Sequence, residues 1–143
     1  MPLNLEAIES PSAQDLKELV AIYLDAPDDL LHCKNSDGEN SIRAIIEGWL
    51  QEPDTTIYAA RFKEGLLAAI VVQQVDRSFY GRNLCVLKRA RKKGIGIRLL
   101  SATSDCIRRQ FPECELAAEI PPNSITYHTL VEHLSMSVLQ QGS

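Results

Sequence analysis

The stretch LCVLKRARKKGIGIRLL, residues 84–100, changes character twice along its length. An apolar run typical of a buried strand leads into basic side chains and then into a helix-like repeat after two glycines. The first turn of a helix presents unpaired N–H groups and a positive dipole end, both of which favour anions. A Cβ at Gly94 or Gly96 would hold an anion away from those donors. The stretch therefore predicts a strand, an anion-binding loop and a helix, with pyrophosphate as a ligand of fitting size.

Two better-known phosphate motifs are absent from this stretch, and a simpler interpretation stays open. The Gly-x4-Gly-Lys-Ser/Thr spacing of a P-loop is missing, and Leu99 stands where the dinucleotide fingerprint Gly-x-Gly-x-x-Gly has its third glycine. The glycines could instead form a plain strand-to-helix turn, with the basic run as a solvated surface.

The composition is that of one soluble globular domain. With 143 residues, 45% of them hydrophobic and 24% charged, residues 1–143 can form a single core, and a disordered or fibrous chain is excluded. The net charge of −4 argues against a general nucleic-acid binder, so any anion site must be local. No secretory leader and no apolar run of about 18 residues is found, which favours a cytoplasmic protein without a membrane partner.

The cysteines and histidines predict no metal site. The four cysteines have no CxxC spacing, and two of them lie in apolar stretches, so we expect buried free thiols. His128 and His133 do not share a face of the last predicted helix, and His32 lies in a distant loop. Spacing alone also justifies no Ser/His/Asp or Cys/His arrangement.

Hydrophobic periodicity divides the chain into an ordered series of elements. Strands are predicted at 3–7, 55–62, 66–75, 82–88, 114–120 and 136–140, and helices at about 12–26, 42–50, 94–110 and 124–134. Gly65 is predicted to form a tight hairpin turn, and Gly81 to lie in a loop. The order β, α, α, β, β, β, α, β, α, β predicts a mixed sheet with helices on both faces.

Residues 84–100 resemble motif A of the GCN5-related N-acetyltransferase (GNAT) superfamily, in which an apolar strand runs into Arg/Gln-x-x-Gly-x-Gly/Ala. The resemblance implies an α/β, GNAT-like (acyl-CoA N-acyltransferase) fold with a mixed, mostly antiparallel sheet and a shortened C-terminus. It also implies acetyl-CoA or CoA as the cofactor, with its pyrophosphate on the N–H groups of 92–96 and its pantetheine arm along the strand. The implied cofactor-binding residues are Leu84, Val86, Leu87, Arg91, Lys92, Lys93, Gly94, Ile95, Gly96, Arg98 and Asn123.

The catalytic tyrosine of many GNAT enzymes has no clear counterpart here. It belongs to the pattern Asn-x-x-Ala-x-x-x-Tyr-x-x-x-Gly-Phe, and the corresponding stretch is NSITYHTLVEHLSMS, residues 123–137. Asn123 fits, but the tyrosine position falls on Leu130 or Val131, and Ser135-Met136 replaces Gly-Phe.

Two residues remain as candidates for acid–base chemistry. Tyr127 lies about one helical turn before the expected tyrosine, and Glu119 ends the predicted fifth strand. Simpler interpretations are a core tyrosine with a wet tip and a solvated strand-end glutamate. Whether the protein is an enzyme stays open at this point.

Four stretches, of which residues 84–100 are one, together resemble the small family of PanZ-type acetyl-CoA sensors, also called aspartate 1-decarboxylase maturation factors. They are DLKELVAIYLDAP, TTIYAARFKEGLLAAIVV, LCVLKRARKKGIGIRLL and LSMSVLQQGS, at residues 15–27, 55–72, 84–100 and 134–143. The resemblance implies an acetyl-CoA-binding regulator of pantothenate synthesis, which docks on the aspartate 1-decarboxylase proenzyme and promotes its self-cleavage.

The implied partner-binding residues are Arg61, Phe62 and Lys63. The family has an asparagine where this chain has Lys63, and a lysine cannot reproduce the acceptor oxygen of an amide. A conventional N-acetyltransferase, acting on an amine of a small molecule or a protein, is the alternative. A scaffolding role for a degenerate fold is a weaker one.

Overall fold

The computed structural model describes residues 3–24, 38–63, 65–91, 93–120 and 124–139. The strands are β1 (Asn4–Ile8), β2 (Thr55–Phe62), β3 (Gly65–Val75), β4 (Ser78–Val86), β5 (Glu115–Glu119) and β6 (Ser137–Leu139). The helices are α1 (Ala13–Leu24), α2 (Glu39–Gln51), α3 (Ile95–Gln110) and α4 (Ile125–His133), with a short 3-10 turn at Lys88–Ala90.

The strands form one mixed sheet in the order β1-β2-β3-β4-β5-β6. Strands β1 to β4 are antiparallel neighbours, whereas β5 pairs in parallel with both β4 and β6. The sheet separates two apolar clusters, one formed with α1 and α2 and the other with α3 and α4. The prediction of a mixed, mostly antiparallel sheet with helices on both faces is confirmed.

The predicted loop around Gly81 is wrong, because β4 begins earlier and runs through that residue. A two-residue turn, in which Asp76 has a φ of +55°, joins β3 to β4 and pairs Val75 with Ser78. Gly81 is buried inside the strand, where a Cβ would lie 3.0 Å from Cδ1 of Ile70. A close approach between sheet and side chain therefore explains this glycine, while Gly65, with a φ of +119°, serves the predicted hairpin turn.

Local capping agrees with the sequence. The Ser12 hydroxyl accepts a hydrogen bond from the Asp15 N–H at 3.0 Å ahead of α1, and the Ser124 hydroxyl accepts one from the Tyr127 N–H at 3.3 Å at the start of α4.

None of the described cysteines is in a disulfide, but only Cys85 is buried, while Cys106 and Cys114 are half-buried. The expectation of buried thiols is thus wrong for those two, because they lie at partly exposed edges of α3 and β5. His32, Cys33, Lys92 and Asn123 lie outside the described residues. Within the described part of the chain, no helix is long and apolar enough to cross a membrane.

Candidate functional site

Strand β4 is paired on both edges only along its first half. Its residues 78–81 pair with residues 115–118 of β5, and beyond Gly81 the described pairing continues on the β3 side alone. The backbone hydrogen bonds to β3 continue just past the end of β4, where the Leu87 N–H donates to the Leu67 carbonyl at 2.8 Å. In the described residues, the second half of β4 thus offers a backbone edge toward β5 that no strand occupies.

A β-bulge in the pairing of β4 with β3 lies just after the point where β4 separates from β5. Ala69 pairs with Cys85 and Val71 with Arg82, so Ile70 alone faces two residues of β4. One of these, Asn83, has a φ of +56°, a left-handed conformation that an asparagine tolerates better than most side chains. The bulge bends β4 away from the regular ladder and starts the open edge.

The open edge carries three of the predicted cofactor residues. Leu84 and Val86 are half-buried and pack on the apolar cluster under α3, and Leu87 contacts the clusters on both faces of the sheet. Their backbone direction leads straight into the basic loop. The pantetheine role of these residues stays a prediction.

The loop after β4 ends at the uncapped start of α3. Gly94 is the N-cap in a left-handed conformation, with φ +72° and ψ +14°, and no side chain of the described residues caps the helix. The first helical bond joins the Arg98 N–H to the Gly94 carbonyl, so the preceding amides of the first turn have no acceptor within the helix. The first turn also contains no acidic residue. These groups fit an anion.

The two glycines of the loop serve different purposes. A Cβ on Gly94 would meet no atom within 4 Å, so its conformation, and not crowding, requires glycine there. A Cβ on the buried Gly96 would lie 2.1 Å from the Tyr127 hydroxyl and 3.2 Å from Val86 Cγ2. The sequence predicts that both glycines leave room for an anion. At Gly96, however, the side chain nearest to the position of a Cβ is Tyr127.

The predicted cations surround this helix start in different ways. Nε of the half-buried Arg91 donates to the Val86 carbonyl at 3.1 Å, so this arginine lies over the end of the open edge. Lys93 is exposed. The Arg98 guanidinium lies 5.4 Å from the centre of the Phe62 ring, a cation–π contact that joins α3 to the end of β2. Exposed Lys88 and Arg89, which the sequence analysis did not single out, add to this positive surface.

Of the two acid–base candidates, the structure brings Tyr127 to the helix start. Its half-buried ring reaches from α4 to Gly96 and Val86. Burial, and secondarily the nearby Cys85, raises the pKa of the Tyr127 hydroxyl. Like any tyrosine hydroxyl, it is protonated at neutral pH and is a possible proton donor.

Glu119 and the expected tyrosine position lie elsewhere. Glu119 ends β5, half-buried, and pairs with Leu139 of β6. Leu130 packs against the core and Val131 is fully buried, so the position that carries the tyrosine in the superfamily pattern is apolar here. The catalytic role of Glu119 and Tyr127 stays a prediction.

The predicted partner-binding residues end β2, and Arg61 is tied within the chain. Its Nε donates to Glu6 at 2.5 Å and a terminal nitrogen to Asp15 at 2.8 Å. These two hydrogen bonds, the one to Glu6 first, raise the pKa of the guanidinium. The Phe62 ring is buried and Lys63 is exposed. Arg61 joins β1, β2 and α1 at this end of the sheet.

Tyr23 and Cys85 contact the bulge from the side of α1, and no motif in the sequence marks either of them as functional. Tyr23 is fully buried on α1, and its hydroxyl reaches the backbone of β4. Burial, and secondarily Cys85, raises the pKa of this hydroxyl well above its usual range. The signal in the sequence was a tyrosine on the apolar face of an amphipathic helix, which by itself indicates only core packing.

The architecture is shared with solved acetyltransferases. A ribosomal-protein-alanine N-acetyltransferase from Brucella melitensis biovar Abortus 2308 superposes with a TM-score of 0.64 at 14% identity, covering 99% of this chain and 95% of that chain. The corresponding S18-alanine enzyme of Escherichia coli gives 0.62 at 16% identity, covering 93% of this chain and 76% of that chain.

A third structure contains a CoA analogue. AAC(6')-Iy, in complex with the bisubstrate analogue CoA-S-monomethyl-acetylneamine, superposes with a TM-score of 0.61 at 14% identity and covers 100% of this chain and 95% of that chain. At such identities these likenesses show the GNAT fold alone. No curated protein sequence matches this chain significantly.

The family comparison goes further than the fold. The family described as "Acetyltransferase (GNAT) domain, PanZ" matches residues 2–140, nearly the whole chain. Together with the acetyltransferase neighbours, this match supports a GNAT-fold, acetyl-CoA-binding protein. The chain therefore belongs to the PanZ family of GNAT domains.

Proposed function

We propose that this protein binds acetyl-CoA at the start of α3 and, in that state, docks on the aspartate 1-decarboxylase proenzyme to promote its maturation. Acetyl-CoA level would then control pantothenate and CoA synthesis. The observation that carries the proposal is the family match over residues 2–140, which places the uncapped, cation-rich helix start in a PanZ domain.

The residues at the helix start fit the charges of the cofactor. Free amides of the first turn and the neighbouring Lys93 and Arg91 would bind pyrophosphate oxygens, and the open edge of β4 would pair with the amides of pantetheine. When bound, acetyl-CoA supplies negative charge at this surface and an activated acetyl group. Its role as an effector requires only that the docked and free states bind it with different affinity.

The docking surface is proposed at the end of β2, formed by Arg61 and Lys63 above the buried ring of Phe62. Arg98 contacts Phe62 from α3, so the proposed cofactor site and this surface adjoin. Arg61 is already bound to Glu6 and Asp15, and a partner would meet a guanidinium held in a fixed orientation. Fixing the side chain beforehand reduces the entropy lost on docking.

Cleavage of the proenzyme tests this function. The proenzyme of the same organism is incubated with the protein, with and without acetyl-CoA, and the two cleavage products are followed on a gel. We expect rapid cleavage only when both components are present. Cleavage at the spontaneous rate with acetyl-CoA and protein bound to the proenzyme would contradict the maturation role.

The proposed docking residues are tested by Arg61→Ala. This variant should lose at least about tenfold in proenzyme affinity, because arginine side chains at interface centres commonly contribute 1–2 kcal/mol or more, and acetyl-CoA binding should be unchanged. Arg82→Ala is the matched control, since Arg82 also ion-pairs a glutamate and is similarly exposed, at 31% against 30% for Arg61. Equal loss in both variants would argue against a specific surface at Arg61.

A conventional N-acetyltransferase is the second candidate, and the protonated Tyr127 hydroxyl beside Gly96 favours it. Such a residue could protonate a departing thiolate. The protein is incubated with acetyl-CoA and a panel of amines and protein N-termini, and free CoA is measured with a thiol reagent. Amine-dependent CoA release that Tyr127→Phe abolishes would establish transfer. Activity unchanged in Tyr127→Phe would exclude this residue as the donor.

A further inference from the structure

The bulge that opens the β4 edge places a backbone carbonyl where the regular ladder cannot pair it. Asn83 lies opposite no residue of its own on β3, because Ile70 faces both Asn83 and Leu84. A buried carbonyl without a hydrogen-bond donor is costly, so a bulge of this kind needs an additional partner. In this molecule the partner comes from the helix beneath the sheet.

Tyr23 of α1 supplies that donor. Its hydroxyl donates to the carbonyl of Asn83 on β4 at 2.6 Å and more weakly to the carbonyl of Ala69 on the neighbouring strand β3 at 3.3 Å. The side chain has 0% exposure, and its ring packs edge-on against Trp49 at 5.2 Å between centroids. A phenylalanine would fill the same space, so the hydroxyl is needed for these carbonyls and not for packing.

A second bond runs in the opposite direction. The thiol of buried Cys85, two residues after Asn83, donates to the Ile22 carbonyl at 3.3 Å in the last turn of α1. The helix side chain thus binds the strand backbone, and the strand side chain binds the helix backbone. We call this pair of bonds the α1–β4 clamp.

We infer that Tyr23 and Cys85 are positioning residues for the acetyl-CoA cleft, because the clamp holds the bulge that separates the second half of β4 from β5. The inference rests on the proposed acetyl-CoA site. Neither residue faces the open edge, so they act through the Asn83 backbone. Without the clamp, the bulge would exchange with straighter arrangements of β4, and only the fraction with the open edge would bind the cofactor.

Tyr23→Phe is the first variant of the test. We expect the Kd for acetyl-CoA, measured by calorimetry, to rise about tenfold, and the amides of residues 82–85 to exchange with solvent at least about tenfold faster. Ile46→Val is the control, since Ile46 is also fully buried in the same apolar cluster but belongs to α2, which packs mainly on α1 and β2. It should lower the urea midpoint by a similar amount and leave Kd and local exchange unchanged.

Cys85 offers a rescue that separates bonding from volume. Cys85→Ala removes the donor and should weaken acetyl-CoA binding about threefold, while Cys85→Ser keeps a donor and should restore most of the affinity. Wild-type Kd in Tyr23→Phe, or a Kd rise in Ile46→Val as large as that in Tyr23→Phe, would overturn the positioning role. Failure of the wild-type protein to bind acetyl-CoA would instead overturn the proposed function, and the clamp would then be judged by the exchange measurement alone.

Discussion

Helices α2 and α3 both begin after a glycine with positive φ, although ψ is −117° at Gly38 and +14° at Gly94, and they differ in what surrounds the first turn. Gly38 and Gly94 are their N-caps, both with positive φ, and neither helix has a side-chain cap. In α2 the first turn contains Glu39, whose carboxylate complements the positive end of the dipole. In α3 the first turn has no acidic residue, and cations precede it.

This difference separates a structural helix start from the proposed binding one. A glycine cap with positive φ is common to both helices and therefore predicts nothing about ligands. The lack of an acidic side chain in the first turn, next to the open edge of β4, is specific to α3. The first turn of α3 thus retains an unmet preference for negative charge, which an external phosphate can satisfy.

The largest expected effect comes from placing a carboxylate at the start of α3. Gly94→Glu should weaken acetyl-CoA binding at least about 100-fold, because the added charge occupies the anion position and about two charge-assisted hydrogen bonds are lost. The domain should still fold, since a Cβ at Gly94 meets no atom within 4 Å. Calorimetric titration with acetyl-CoA and a urea unfolding curve give the two results.

Gly38→Glu is the matched control for this substitution. It places the same side chain at the N-cap of α2, where φ is also positive but ψ is −117° and not +14°, and where no atom lies within 4 Å of the Cβ. Gly94→Glu should lose about 1–2 kcal/mol of stability from the left-handed conformation, and Gly38→Glu more, because side chains rarely adopt the φ of +57° and ψ of −117° found at Gly38. Affinity for acetyl-CoA should fall only in Gly94→Glu, and an equal fall in Gly38→Glu would mean that backbone strain, and not the anion site, explains the loss.

Much of this architecture could be predicted from residues 84–100, because their signals are local. A strand, a basic loop and a glycine-started helix follow from periodicity and cap chemistry, and the structure has α3 at Ile95–Gln110 as expected. The position of Gly81 could not be predicted, since a glycine needed for close contact with Ile70 looks like a turn glycine in the sequence.

The clamp and the neighbour of Gly96 could not be predicted, because they depend on distant contacts. Tyr23 and Asn83 are 60 residues apart, and nothing local marks a phenol that will donate to a bulged carbonyl. Tyr127 likewise reaches Gly96 only after β5 has placed α4 against α3. Single-sequence patterns report burial, but they do not report which buried groups meet.

Substitutions at the second residue of α3 and of α2 are expected to have effects of intermediate size on stability. Gly96 is buried against Tyr127, whereas Asn40, at the same position of α2, is exposed. Gly96→Ala should destabilise the protein by about 1–3 kcal/mol through overpacking, and Asn40→Ala should change stability by less than about 0.5 kcal/mol. Urea unfolding measures both.

Tyr127→Phe tests whether the Tyr127 hydroxyl is the atom that makes Gly96→Ala destabilising. Removing the hydroxyl leaves Cζ as the nearest ring atom, 3.4 Å from the new Cβ. Gly96→Ala should therefore cost about 1 kcal/mol less in the Tyr127→Phe background than in the wild type. Additive effects in this double-mutant cycle would show that the alanine is resisted by something other than the hydroxyl.

The smallest effects are expected from neutralising one charge at each helix start. The substitution at α2 should change stability alone, and the substitution at α3 should change acetyl-CoA affinity alone. Glu39→Gln removes the carboxylate of α2 and should lower stability by about 0.3–1 kcal/mol, with acetyl-CoA affinity unchanged. Lys93→Gln removes a cation before α3 and should lower acetyl-CoA affinity about threefold, with stability within about 0.5 kcal/mol of wild type. Both effects should shrink in 1 M salt, where exposed charges are screened within about 3 Å. If Lys93→Gln instead changed stability and left affinity intact, the cations before α3 would belong to the fold and the anion would have to bind elsewhere.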